Sequence, residues 1–236
     1  MPGIERYPAQ NTLAQFLDSA DPVYGTGMDG DATLNGSSAI LGMTPSGNVY
    51  QMTRDIHFQN LSINAGVRLS PNGHRIFVKG TLNFGASSSI GYTTGYSTAG
   101  SIQQGGAAST SVTHSLGGSA TGFTATAPTA ALGGTEYFRV PHQAITGYSV
   151  TAAGGGPTYL RGGAGGNSQP GGGVVIVSAR YIGGPSSGTS SFRAPGTAPA
   201  GGGVILIVSS GISLPSGVTT DVTGQNPGTV VYMQVV

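Results

Sequence analysis

The chain has no cysteine, so it carries neither a disulfide framework nor a thiolate metal site. Charge is nearly as scarce. Nine Lys and Arg and eight Asp and Glu make 7% of its 236 residues, against roughly a quarter in an ordinary soluble domain. The formal net charge is +1 and no basic cluster stands out, which argues against nucleic acid, since phosphate contacts need Lys and Arg in number. No apolar run approaches the ~20 residues of a membrane span, so no membrane insertion is expected. The opening Met1-Pro2-Gly3-Ile4-Glu5-Arg6 lacks the apolar core of a signal peptide. The expectation is a protein made in a cytoplasm that stays soluble or joins a larger particle. So little charge favours association, because little keeps copies apart.

What the chain has instead is glycine. Its 43 glycines and 14 prolines would suggest disorder were the hydrophobic content not 37%, enough to bury a core. Two segments read almost alike, thirty residues apart in number: Gly171-Gly172-Gly173-Val174-Val175-Ile176-Val177-Ser178 and Gly201-Gly202-Gly203-Val204-Ile205-Leu206-Ile207-Val208. A glycine triplet suits a turn or a close backbone approach, and the aliphatic run after it suits a strand buried on both faces. The pair predicts equivalent positions in neighbouring layers of a repeating stack. The alternative is two independent strands of a glycine-rich sandwich.

Residues 1–24 differ from the rest. Asn11 suits the cap of a short helix in which Leu13, Phe16 and Leu17 form one apolar stripe, ended by Asp21-Pro22. A helix this short is marginal alone, so it is expected to dock on the body or to anchor the chain to an assembly. From residue 25 a glycine-rich β body is expected to run to residue 236. Leu61–Leu69 and Ile76–Phe84 alternate apolar and other residues around a Pro71-Asn72-Gly73 turn, predicting strands over 61–69 and 76–84, with further strands at 174–178 and 204–208. No charged residue lies between Lys79 and Glu136. Within this stretch, 85–135 is expected to be a displayed or interface insertion, with Tyr92, Tyr96 and Phe123 as candidate receptor or interface contacts.

The residues Asp29-Gly30-Asp31, then Thr53-Arg54-Asp55 with Asn60-Leu61, then Asn72-Gly73-His74-Arg75-Ile76-Phe77-Val78-Lys79-Gly80 carry a resemblance. Together they resemble a module of tailed-bacteriophage glycine-rich virion proteins, found as minor tail, fibre or head-decoration components. The resemblance covers residues 29–84 well and 171–236 moderately, and residues 85–160 depart from it. It implies an all-β fold, either β-helix-like or a layered β stack with glycine-rich turns. It also implies a structural role in a virion assembled in the host cytoplasm.

Catalytic and cofactor signatures are weak. Gly25-Thr26-Gly27-Met28-Asp29-Gly30 matches G-x-G-x-x-G in form, but Asp31-Ala32-Thr33-Leu34-Asn35-Gly36 after it reads as a turn and a strand rather than a helix whose N-terminus would hold a pyrophosphate. Asp29 and Asp31 lack the further oxygens a Ca²⁺ site needs, and are expected to bond local backbone N–H groups in a turn. Asp55 and Glu136 are the best isolated carboxylate pair for glycan cleavage, with nothing in the sequence to bring them together. Arg54 and Asp55 are expected in a solvated or inter-subunit ion pair. The four histidines, His57, His74, His114 and His142, lack metal-ligand spacing. The expectation is therefore a protein with no catalytic residue, metal or cofactor. It is expected to form a homo-oligomer, a trimer in the first instance, and to pair with the major capsid or tail proteins of a virion. The alternative is a receptor-binding fibre or spike that contacts a host surface glycan or protein.

Overall fold

A two-residue period over Ile76–Phe84 sends Ile76, Val78, Leu82 and Phe84 to one side, and the computed structural model of the chain forms a strand over those same residues. The structure describes residues 23–93, 172–197, 201–224 and 227–235, with four short strands between the first two spans. The strands are β1 (Gly30–Leu34), β2 (Val49–Gln51), β3 (Ile56–Ile63), β4 (Arg68–Ser70), β5 (Ile76–Phe84), β6 (Ser89–Gly91), β7 (Ser111–Thr113), β8 (Ser119–Thr121), β9 (Tyr148–Ser149), β10 (Thr158–Tyr159), β11 (Val174–Gly183), β12 (Ser190–Arg193), β13 (Val204–Ser209), β14 (Val218–Asp221) and β15 (Thr229–Gln234). Among the described residues there is no helix, and the expected N-terminal stripe lies outside them.

Two sheets hold the body. One has the order β1-β3-β5-β11-β13-β15 and the other β14-β12-β6-β4-β2, and every pairing within both is parallel. The chain alternates between them. β1 belongs to the first sheet, β2 to the second, β3 to the first again, and each return lands beside the strand left before. Two antiparallel pairs, β7 with β8 and β9 with β10, fall between β6 and β11 without breaking that alternation. Between the sheets lies the main core, which joins Leu34, Phe58, Leu61, Ile63, Leu82, Val177 and Ile207 of the first sheet to Tyr50, Leu69, Ile90 and Phe192 of the second. Phe84 meets Phe192 edge to face across it, ring centres 5.2 Å apart.

The expected strand over 61–69 is two strands. β3 ends at Ile63, a turn closed by the Val67 N–H on the Asn64 carbonyl (3.1 Å) comes next, and β4 belongs to the other sheet. The alternation nevertheless continues through the corner, because the chain bends around a single interior. Leu61, Ile63, Val67 and Leu69 are all buried in that one core. Periodicity therefore reports which side faces inward and is blind to the change of sheet.

The two glycine-triplet runs meet as neighbours. Val174 pairs with Val204, Val175 with Ile205, Ile176 with Leu206, Val177 with Ile207 and Ser178 with Val208, in unbroken parallel register. Ahead of the strands the glycines nest against each other: a Cβ on Gly203 would overlap the Gly173 carbonyl oxygen and stand close to the Gly172 backbone. Only a residue without a side chain allows that approach, and it lets the Val204 N–H reach the Gly173 carbonyl at 3.0 Å.

The aliphatic runs are buried on both faces. Their inward residues join the main core, while Val174, Ile176, Val204, Leu206 and Val208 form a second cluster on the outer face of the first sheet with Phe77 and Tyr24. Residues 23–29 cross part of that face on their way to β1. Ser178 Oγ donates to the Val23 carbonyl, and the Tyr24 hydroxyl donates to the Val235 carbonyl at 3.1 Å.

Candidate functional site

The motif residues that carry the resemblance lie where adjacent parallel strands of the first sheet begin. Asp29 precedes β1, Arg54 and Asp55 precede β3, and His74 and Arg75 precede β5. Parallel pairing brings these three entry points side by side, so residues about twenty positions apart in sequence become neighbours. The Arg54 guanidinium makes a fork on the Asp29 carboxylate, Nη1 to Oδ2 at 3.0 Å and Nη2 to Oδ1 at 2.5 Å. The same carboxylate accepts the His57 N–H at 2.7 Å. One strand further on, Asp55 accepts the Arg75 N–H at 2.8 Å and Nε at 2.7 Å, with Nη2 at 2.5 Å.

Arg54 and Asp55, adjacent in sequence, therefore face opposite ways and clasp different neighbours. Arg54 holds the strand before and Asp55 the strand after. The ion pair expected between Arg54 and Asp55 themselves is thus replaced by two pairs with other partners, of which the Arg54 one is half exposed, and the Asp29 carboxylate bonds the distant His57 N–H rather than backbone of its own turn. Both readings are corrected by strand register, which a single sequence does not display.

Electrostatics obey the geometry. The Arg54 hydrogen bond holds the Asp29 carboxyl below its ordinary value despite the opposing cost of burial. His57 is pushed down chiefly by burial, against the pull of Asp29 and Asp55, and Arg75 and Arg54 lower it further. Its ring stacks on Phe77, centres 4.5 Å apart and planes 9° from parallel, and its Nδ1 accepts the Thr26 N–H at 3.3 Å.

A further polar step lies within these strands. Asn60 Nδ2 donates to Asp31 Oδ1 at 2.9 Å while its Oδ1 accepts the Thr81 N–H at 2.9 Å, so a single side chain ties β1 to β5 across β3. The pairing register shifts beside this residue, between Phe58 and Leu61. Its amide fills the gap that the bulge opens in the ladder.

On the second sheet, Arg193 of β12 reaches Asp221 of β14 through Nε at 3.2 Å and Nη2 at 3.0 Å. Burial would raise the Asp221 pKa, but the Thr223 hydroxyl and N–H and the Arg193 fork outweigh it, so the carboxyl lies below its ordinary value. Beside this pair, Arg68 is lowered by burial and by Arg193, and its Nε is buried without a hydrogen-bond partner.

Each described carboxylate is thus engaged in tying strands together. Asp29 is held by Arg54, Asp31 by Asn60, Asp55 by Arg75 and Asp221 by Arg193. Among the described residues no group of three His, Asp or Glu side chains is placed to hold a metal. Of the proposed contact residues, Tyr92 is 3% exposed, a core side chain rather than a displayed one. Its hydroxyl donates to the Val174 carbonyl at 3.3 Å, and the Gly73 N–H lies 3.4 Å from it. Leu13, Phe16, Leu17, Tyr96 and Phe123 lie outside the described residues, as does Glu136. The described apolar side chains left most open to solvent are Met28, Ile212 and Tyr181, none of which any periodic pattern singles out.

Compared with family models, with curated proteins and with solved structures, the chain matches none.

Proposed function

We propose that the chain is a non-enzymatic structural protein of a tailed-phage particle, a capsid decoration or other surface component that assembles as an oligomer. In this reading the two sheets are opposite walls of a parallel β-helix. The observation that carries it is the use made of the motif charges. Asp29, Arg54, Asp55 and Arg75 clasp one strand to the next. Groups held this way hold strands in register and are poorly suited to moving protons on a substrate. The resemblance supplies the particle, and the low charge supports association with other copies and with a capsid or tail.

The test is the amount of this protein in purified particles, measured by quantitative mass spectrometry against the major capsid protein. Copies in fixed proportion to the capsid protein fit a decoration role. Copies matching the low symmetry of a tail would assign it instead to a receptor-binding fibre or spike. Absence from the particle would overturn both.

A further inference from the structure

Residues 23–29 cross part of the outer face of the first sheet and are held at both ends and over the His57–Phe77 stack. Val23 and Tyr24 are fixed at β11 and at the residue after β15 by Ser178 and by the Val235 carbonyl. Gly25 lies against the His57–Phe77 stack. An added Cβ there would stand 2.5 Å from Phe77 Cβ and 2.7 Å from His57 Nδ1, and the residue's φ is +81°, so the crossing is both tight and glycine-dependent. The Thr26 N–H points at His57 Nδ1, and the Asp29 N–H reaches the His57 carbonyl at 3.0 Å. One residue of β3 therefore holds the crossing segment through its ring and through its backbone.

The ring contact works in only one protonation state. As an acceptor from Thr26, Nδ1 must be free of a proton, which places the neutral ring's hydrogen on Nε2. A protonated ring turns Nδ1 into a second donor aimed at the Thr26 N–H, and that hydrogen bond becomes a repulsion. Four charged groups surround the ring: Asp29 on the crossing segment, Arg54 and Asp55 ahead of β3, and Arg75 ahead of β5. Burial opposes the new charge, and the pull of Asp29 and Asp55 towards it is offset in part by the arginines that each carboxylate already holds. Lys79, further along β5, packs its chain near Gly27 and adds no negative charge.

We propose that residues 25–27 are a latch, closed over the His57–Phe77 stack by the neutral ring and loosened by its protonation, while Ser178, the Val235 carbonyl and the Asp29–Arg54 fork keep the segment held on either side. Loosening there uncovers Phe77, the outer-face side chain that Gly25 lies against.

The experiment tracks His57 ring and Thr26 amide resonances of the whole chain by NMR from about pH 7.5 to about pH 5, the range in which histidine titrates. Thr26 amide exchange, corrected for its intrinsic pH dependence, is recorded alongside. The expected result is a single midpoint shared by ring and amide. Thr26 protection should fall by about tenfold below it, as loss of one hydrogen bond implies. Binding of a hydrophobic dye should rise with the same midpoint. In His57→Gln the side-chain carbonyl accepts but does not titrate, so protection and dye binding should be flat across the range. A Thr26 amide indifferent to pH in the natural chain overturns the proposal, as does an unchanged response in His57→Gln. If that variant does not fold, the natural chain decides alone: ring and amide midpoints that differ overturn the latch, and coincident ones support it.

Discussion

Replacing Asp55 with alanine removes three contacts to Arg75, at 2.8, 2.7 and 2.5 Å, and leaves that guanidinium without its carboxylate. Hydrogen bonds to a charged group contribute about 1.5–3 kcal/mol each when buried. Both side chains here are only 19% exposed, so water recovers part of the loss but not most of it. We expect a destabilisation of about 3 kcal/mol, since the three contacts share one carboxylate and do not add. Asp29 is the comparison. Its partner Arg54 is 50% exposed, so that fork contributes no more than about 1 kcal/mol. The His57 N–H bond adds about 1 kcal/mol. Asp29→Ala should therefore cost about 2 kcal/mol, and its loss should shrink at high salt more than that of Asp55→Ala. Urea unfolding monitored by circular dichroism measures both, and a double-mutant cycle with Arg75→Ala isolates the Asp55 pair, with an expected coupling of about 2 kcal/mol. An Asp29→Ala loss equal to or greater than that of Asp55→Ala would refute the reasoning from burial.

Gly203→Ala should cost about 3 kcal/mol, because the new methyl meets backbone that cannot swing aside, and chemical denaturation should show it. Phe58→Ala, at a fully buried side chain of the main core, should cost about 3–5 kcal/mol in the same assay. Asp29 and Asp221 both lie below their ordinary carboxyl pKa. Their stabilisation is therefore complete above about pH 4, near the unfolded value, and is lost as pH falls through the lower folded values. Acid unfolding of Asp29→Asn should accordingly show a shallower dependence on pH below about 4 than the natural chain.

Local pattern was readable where one face of a strand meets one core. Ile76–Phe84 carries its two-residue period from end to end, and the repeated glycine triplets announced two strands that pair in register. Leu61–Leu69 shows why such reading stops short. The inward positions continue around a corner, so alternation does not reveal that β3 and β4 belong to different sheets. The charge clasps were illegible for a related reason. Arg54 and Asp55 look like partners in the sequence, and only the lateral offset between parallel strands sends one back to Asp29 and the other on to Arg75. Tyr92 looked displayed because it lies in a charge-free stretch, yet it directly follows β6, where a phenol ring fills core and its hydroxyl bonds the backbone of β11. The His57–Phe77 stack had no signal at all, since it needs β3 and β5 to be neighbours.

The junction between β6 and β11 has a consequence for engineering. β5 and β11 are adjacent in the first sheet, and β6 and β12 in the second, although residues 92–173 intervene in the chain. Most other crossings between the sheets are far shorter, as at 184–189. Closing the long connection instead of a six-residue one costs only about 2 kcal/mol of chain entropy, because the penalty grows with the logarithm of length. The stretch between Tyr92 and Gly172, whose two ends are themselves packed in the body, is therefore only weakly constrained in length. The same tolerance makes it the natural place to graft a foreign epitope or binding loop.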